Sequence, residues 1–338
     1  VMHRNALTMP DSRTLVANAV LLLLVAAAVI ISLSMGTVQI APAEVIRALI
    51  GTTEDPMAAF VINELRLSRV VAGMLSGAAL ALAGCLMQTL ARNRLATPGI
   101  IGIDNAATAF AVASVVGTGI AIAPSAMALA GAATATALAF GLAGANGTRG
   151  YRFIVAGLGI GAIAGAVTQV MLSQVAIDDA NAAYPWTVGS LNARSGASVQ
   201  VLALGLAASC LVMVAIVRAL NTLQFSDPVA IALGTRLRRT RVVGLGLSVL
   251  LTGLAVSVCG PVGLVALLAP ELARTVCRPG RIPLTAAALA GAAFMVIADL
   301  LGRTLFSPLE IPVGIITAIV GSPYLLWILL RPSTRSLT

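Results

Sequence analysis

The chain has 338 residues, 59% of them hydrophobic and 10% charged, and a mean hydropathy of +1.01. Soluble domains carry roughly 25% charged residues, so a soluble globular enzyme and a disordered segment are both excluded. An outer-membrane barrel is excluded too, because its strands alternate polar and apolar positions. The remaining class is an all-α, polytopic membrane protein, since only helices and closed barrels satisfy their backbone groups in lipid.

The formal charge is +9, and every one of the 21 basic residues is Arg. These arginines sit in short breaks between apolar runs, and aromatics make up only 4%, too few for base stacking. The charge therefore reads as topology-setting, with membrane lipid and not nucleic acid as the surrounding partner. The single histidine, His3, lies near the N-terminus, and Cys85, Cys210, Cys259 and Cys277 form no C-x-x-C pair. No metal or cofactor of the chain's own is expected, and no catalytic residue.

In chain order, the charge-free runs predict ten transmembrane helices, given roughly 20 residues per span. They cover 15–35, 66–90, 99–117, 123–145, 153–176, 198–217, 241–259, 262–276, 283–305 and 311–330. The run 105–148 is too long for one span and breaks between Gly117 and Pro124. The run 242–270 breaks at Gly260-Pro261, and the span after it carries Glu271. The first run is too long for a signal peptide and reads as a retained helix. Between spans, Pro42–Ile50 reads as a short surface helix, and 184–194 as a re-entrant or interfacial segment anchored by Trp186.

Only five arginines (Arg47, Arg66, Arg69, Arg194 and Arg303) fall outside if the N-terminus is cytoplasmic; the other 16 of the 21 fall inside. The positive-inside rule then places both termini in the cytoplasm. The expected organisation is an N-terminal tail 1–14, a membrane domain 15–331 with a cytoplasmic segment 218–241, and a C-terminal tail 332–338. Gly73 and Gly77, and the i, i+4, i+8 stripe Gly157, Gly161 and Gly165, predict close helix packing.

Ser226 and Asp227 ahead of Pro228 start a short helix over 228–233 on the inner face, stopped by Gly234. It could lie on anionic lipid or dock a cytoplasmic partner. On the outer side, Arg66 and Arg69 share one helix face, and Arg303 ends the ninth span. They could snorkel or pair with Glu64 and Asp299, or receive an acidic partner. Asp104 and Asp299 lie at different depths, which argues against a proton relay or an aspartate protease.

No P-loop is possible without Lys, so any ATPase must be another chain. Longer motifs carry a resemblance. They are Glu64-Leu-Arg-Leu-Ser-Arg69, the run Gly84 to Gly102 containing Gln88 and Asn93-Arg-Leu-Ala-Thr-Pro98, and Trp186-Thr-Val-Gly-Ser-Leu191. Gly260-Pro-Val-Gly-Leu-Val265, Ala298-Asp-Leu-Leu-Gly-Arg303 and Glu310 to Pro323 complete the set. Together they resemble the FecCD-type permease family of ABC importers, which handles iron-siderophores, haem and vitamin B12.

The resemblance implies a ten-helix subunit in the inner membrane of a bacterium. A second permease subunit (identical or different), two cytoplasmic ATPases that bind ATP and Mg, and an external substrate-binding protein would complete the importer. It implies that Arg66, Arg69 and Arg303 receive acidic residues of the binding protein. It also implies that 221–236 is the coupling segment, with Leu223, Phe225, Ser226, Asp227, Pro228, Ala230, Leu233 and Gly234 at the ATPase. The function expected is translocation of a ferric siderophore or related chelate by alternating access. Alternatives are haem or cobalamin as cargo, or a stand-alone secondary transporter. The chain departs from the family pattern at Ser68 and Arg94, where Pro is usual, at Glu271, where His is usual, and over Phe225-Ser-Asp-Pro228.

Overall fold

The computed structural model describes residues 12–36, 38–117, 122–143, 151–192 and 194–330. His3, Arg4, Arg149, Arg331, Arg335, the tail 332–338 and the break at Thr118-Gly119 lie outside them. Among the described residues the regular structure is all helical. The chain-order elements are α1 (Ser12–Ser34), α2 (Pro42–Leu49), α3 (Pro56–Phe60), a π-helical turn (Val61–Arg66) and α4 (Leu67–Ala91). A 3-10 turn (Pro98–Ile101), α5 (Ile103–Val115), α6 (Pro124–Ala143), α7 (Tyr151–Ser173) and α8 (Ile177–Val188) follow. The last six are α9 (Gly196–Thr222), α10 (Asp227–Ala232), α11 (Leu237–Cys259), α12 (Val265–Val276), α13 (Leu284–Thr304) and α14 (Val313–Leu330).

Helix starts follow local chemistry. Proline occupies the first turn of α2, α3 and α10, where its missing N–H has no intrahelical partner to lose. Asp55 caps α3 by accepting from Met57 N at 2.9 Å, and Ser195 caps α9 by accepting from Ser198 N at 3.3 Å. Each supplies an acceptor to an orphan first-turn donor.

Among the described residues seven helices are long and apolar enough to cross a membrane: Ser12–Ser34, Pro56–Ala91, Pro124–Leu142, Ile154–Ser173, Gly196–Thr222, Leu237–Cys259 and Leu284–Thr304. The expected spans 99–117, 262–276 and 311–330 fall instead on the shorter α5, α12 and α14. The expected span 66–90 begins earlier, because helix runs unbroken from Pro56 through the π-helical turn. Glu64, Arg66 and Arg69 looked like a boundary in the sequence, but neighbouring elements take up the two arginines. The segment 184–194 is likewise half helix, with α8 extending back to Asp178 and Asp179 in its first turn.

Burial separates inner helices from outer ones. In the most apolar 18-residue stretches, 72% of the Pro56–Ala91 helix and 78% of α11 are buried, against 22% of α1, 17% of α7 and 22% of α9. The outer helices present large apolar side chains outward, such as Leu204, Leu211 and Val214 on α9. That is the pattern of helices that face lipid on one side.

Glycines set the tightest crossings. A Cβ at Gly77 would overlap Gly291 O of α13, and one at Gly291 would overlap Gly77 O. A Cβ at Gly84 would fall on Ala266 O of α12. On the other side of the bundle, Gly157 of α7 faces the Ile100 and Ile101 backbone, and a Cβ at Gly161 would meet Gly102 Cα at 3.2 Å. Gly73 sits against Leu191, whereas Gly165 has only Asn105 within reach, at 3.9 Å from an added Cβ. In lipid, such close approach supplies dispersion contacts that the hydrophobic effect cannot.

Candidate functional site

Three of the sequence motifs meet at one crossing of chain. Gly189, with φ 81°, follows α8 directly, and Ser190 N donates to Cys259 O at 2.8 Å. Gly314 N donates to Gly189 O at 3.2 Å. A Cβ at Gly189 would meet Pro261 O, and one at Gly314 would overlap Val188 O. Gly189, Gly260 and Gly314 of these motifs therefore bring three backbones together. This crossing ties the end of α8 to the α11–α12 and α13–α14 connections.

The end of the molecule expected outside carries a charged cluster around Asp299 on α13. Arg69 reaches it through Nη2 at 3.0 Å and Arg303 through Nε at 3.1 Å. Arg69 also binds Glu310 at 2.9 Å. Asp299 is 5% exposed at its side chain and Glu310 is 47% exposed, so the cluster has a buried acid and a surface acid. Arg303 donates further to Ser32 Oγ at 2.6 Å and to Ser32 O. Arg66 is buried and donates to Leu33 O and Val38 O. Arg66 and Arg303 thus bind the C-terminal end of α1, where unsatisfied carbonyls and the helix dipole favour a cation. The i, i+4 pairing of Asp299 with Arg303 matches the sequence expectation. Arg66 goes to backbone carbonyls and not to Glu64, because burial leaves the guanidinium closest to the chain end of α1.

Beside this cluster, Arg194 lies over the Trp186 ring at 4.0 Å from its centroid and donates through Nε to Ser190 O at 2.9 Å. Burial pulls its guanidinium down to about 10, with Cys259 opposing, so it stays charged at neutral pH. Trp186, read as a membrane-boundary anchor, is buried and serves as the platform for Arg194.

At the opposite end, α10 is the predicted inner helix, displaced by one residue to Asp227–Ala232. Asp227 is gripped by Arg92 at 2.7 Å and by Arg241 at 2.8 Å. Arg92 also donates to Leu223 O at 2.9 Å and to Phe225 O. It does so from a left-handed backbone at φ 50°, a conformation that costs a non-glycine residue about 1–2 kcal/mol. Thr222 and Thr235 hydroxyls meet at 2.7 Å across the base of the segment. So fixed, α10 and its flanking residues leave Phe225, Val229, Ile231 and Leu233 exposed, at 53%, 45%, 60% and 57%. Leu223 and Ala230, expected at a partner surface, are buried instead and anchor the segment from within.

The two departures at Arg94 and Glu271 bond to each other, at 3.0 Å. Glu271 also accepts from Arg274 at 3.3 Å, and Arg274 donates to Gln88, which itself donates to Leu267 O at 3.3 Å. The turn after α4 is thereby tied to α12. Among the described residues no cluster of three or more His, Cys, Asp or Glu side chains could hold a metal ion.

Comparison with known proteins agrees with this architecture. The FecCD transport family model matches residues 22–331. The achromobactin transport system permease protein CbrC of Dickeya dadantii (strain 3937) is 36% identical, over 92% of this chain and 90% of that protein. The ferric enterobactin transport system permease protein FepG of Escherichia coli (strain K12) is 35% identical, over 93% and 96%. The hemin transport system permease protein HmuU of Yersinia pestis is 34% identical, over 83% and 86%. Among solved structures, an inward-facing metal-chelate type ABC transporter has the same fold, with a TM-score of 0.79, 22% identity and coverage of 94% of this chain and all of that one. With three of its motifs brought to one crossing and its length matched almost throughout, the chain belongs to the FecCD transport family.

Proposed function

We propose that the chain is the permease subunit of an ATP-binding-cassette importer in a bacterial inner membrane, carrying a ferric siderophore or related chelate inward. The observation that carries this reading is α10. It is a short helix clamped by Arg92 and Arg241 through Asp227, and on it and its flanks four large apolar side chains are exposed. An apolar patch on a fixed protrusion is suited to a partner's groove. A helix of this length is marginal alone, so the clamp preserves its shape when force is applied.

In this reading all ten expected spans cross the membrane, α5, α12 and α14 completing the seven longer helices, and both termini lie inside. Residues 15–331 form the membrane domain, with 1–14 and 332–338 as tails. The cargo pathway forms against a second permease subunit. Two ATPase subunits hold ATP and Mg and press on 221–236 through Phe225, Ser226, Asp227, Pro228, Leu233 and Gly234. Their closure tilts the attached helices and alternates access to the two sides. The relatives named for achromobactin, ferric enterobactin and hemin support a chelate as cargo.

Arg69 receives an acidic binding protein, with Arg66 and Arg303 supporting it from beneath. Arg69 and Arg303 face Asp299 and Glu310, while Arg66 is held by the Leu33 and Val38 carbonyls. Arg69 can trade the exposed Glu310 for an incoming carboxylate while Asp299 stays in place. Purification of the chain from its native membrane, with mass spectrometry of what accompanies it, tests the assembly. ATPase and second permease subunits are expected; recovery of the chain alone, fully folded and transport-competent, would contradict it.

A further inference from the structure

At the end that carries α10, a cavity of about 420 Å³ lies between the turn after α4, the end of α12 and the α12–α13 connection. Arg92, Asn93, Arg94, Arg274, Arg278 and Arg281 line it, and among the described residues no carboxylate does. The acids bonded to Arg92, Arg94 and Arg274 lie outside the lining and are shared. Asp227 is divided between Arg92 and Arg241, and Glu271 between Arg94 and Arg274. Four guanidinium groups thus meet two carboxylates, and the cavity keeps a positive excess. The bonds also leave donors unused. Arg274 spends only Nη1, on Gln88 and Glu271, and Arg94 spends only Nη1, on Glu271. Arg92 spends Nε and Nη2 and keeps Nη1. Arg274 Nη2 is not shut off from water, and Arg92, Arg94, Arg278 and Arg281 are exposed. Asn93 Oδ1 accepts from Leu95 N at 2.9 Å, which leaves its NH2 group as a further donor. Topology-setting charge requires only that arginines lie at this end; it does not require five of them around one hollow free of acids. A carboxylate offers two oxygens, enough for one guanidinium fork. A phosphate group offers more, and forks arriving from α12, from the turn after α4 and from the connection suit it better. The volume lies in the range of small-molecule sites, so space remains for whatever is esterified to the phosphate.

We propose that this cavity binds a phosphate group, supplied by the headgroup of an anionic phospholipid or by phosphate in solution. Basic pockets between helices at a membrane surface are suited to such headgroups. Once occupied, the cavity links Arg92, which holds Asp227 of α10, to the α12–α13 connection, and steadies the base of α10. The site goes beyond the permease reading and stands on the cavity's own geometry, so its test is independent of transport.

The test uses the chain purified from its native membrane with whatever subunits accompany it, freed of nucleotide and kept in chloride buffer without phosphate. In one arm inorganic phosphate is titrated at constant ionic strength. In the other, phosphatidylglycerol is added to nanodiscs otherwise made of phosphatidylcholine. Amide hydrogen exchange is followed over 223–235 and 277–284. Saturable slowing of both segments is expected in at least one arm. Slowing by inorganic phosphate supports the site with a soluble source, and slowing by phosphatidylglycerol alone supports it with a lipid source. Arg278 and Arg281 are exposed on the connection, so Arg278→Gln with Arg281→Gln tests the charge without disturbing the helix crossings, and it should abolish most of the slowing. Asn93→Asp keeps an acceptor for Leu95 N and places a carboxylate in the lining; it should raise the half-saturation severalfold. An unchanged thermal midpoint shows that each variant is folded. Slowing in neither arm, equal slowing by added chloride, or slowing that both sets of variants leave intact would overturn the proposal.

Discussion

The two ends of the molecule, proposed as outer and inner, use the same chemistry, arginine against carboxylate, with different burial. At the outer end Asp299 is nearly out of water and is shared by Arg69 and Arg303, while Arg66 and Arg303 also close off the carbonyls at the end of α1. At the inner end Asp227 is 28% exposed and Arg92 is 38% exposed. Buried pairs are damaging to break because the remaining charge stays dehydrated. Exposed pairs contribute little to stability, about 0–1 kcal/mol. The outer cluster therefore braces the bundle, and the inner one sets the position of α10. Stability and coupling should separate between the two ends.

The most severe test of that separation is Asp299→Asn, which leaves Arg69 and Arg303 facing each other. A loss of about 3–5 kcal/mol is expected, read as a large drop in the thermal midpoint of the purified protein. A midpoint like that of a surface control would show that the outer cluster braces nothing. Next comes Gly84→Ala, whose methyl lands on Ala266 O; overpacking of this kind costs about 1–3 kcal/mol, at times more. It should destabilise well beyond Gly165→Ala, whose methyl makes only an ordinary contact with Asn105 at 3.9 Å, and equal effects would contradict the crossing geometry.

The inner end gives the opposite profile. Arg92→Gly gives up exposed bonds but relieves the left-handed backbone, so the net change in unfolding free energy should stay within about 1 kcal/mol. The same variant should lose most of its ATP-coupled uptake. A variant that unfolds, or one that transports normally, would blur the contrast between the ends. Smaller again is Glu310→Gln, which frees Arg69 for an acidic partner. Binding-protein docking should tighten a few-fold at low salt and the gain should fade as salt screens it. Smallest is Arg94→Ala. With Arg94 70% exposed and Glu271 still held by Arg274, stability should fall by no more than about 1 kcal/mol.

Composition and periodicity already told most of the fold. Apolar runs locate the helices, and the small-residue spacing at Gly77 and Gly157 marks real crossings. The Ser226-Asp227-Pro228 start locates α10 to within one residue. The helix from Pro56 through the π-helical turn was hidden because Glu64, Arg66 and Arg69 interrupt the apolar run. Only the fold reveals that the arginines are satisfied by α1 and α13. Gly84 appeared in a motif without its reason, since Ala266 is brought to it by tertiary packing. Arg94 and Glu271 lie 177 residues apart, so two departures that looked independent are one bonded pair. Leu223 and Ala230 share a segment with Phe225 and Ile231, and no spacing rule in so short a helix tells which side faces inward. The cavity around Arg274 is likewise assembled from three separate stretches of chain.

The central claim is that transport is driven through α10 by separate ATPase subunits. The most direct measurement is ATP-dependent uptake of a ferric chelate into vesicles holding the full importer, comparing the unaltered chain with Asp227→Arg. The account predicts uptake that requires hydrolysable ATP and is abolished by the substitution, with the protein's thermal midpoint nearly unchanged. Uptake without nucleotide, or uptake undiminished by Asp227→Arg, would contradict it.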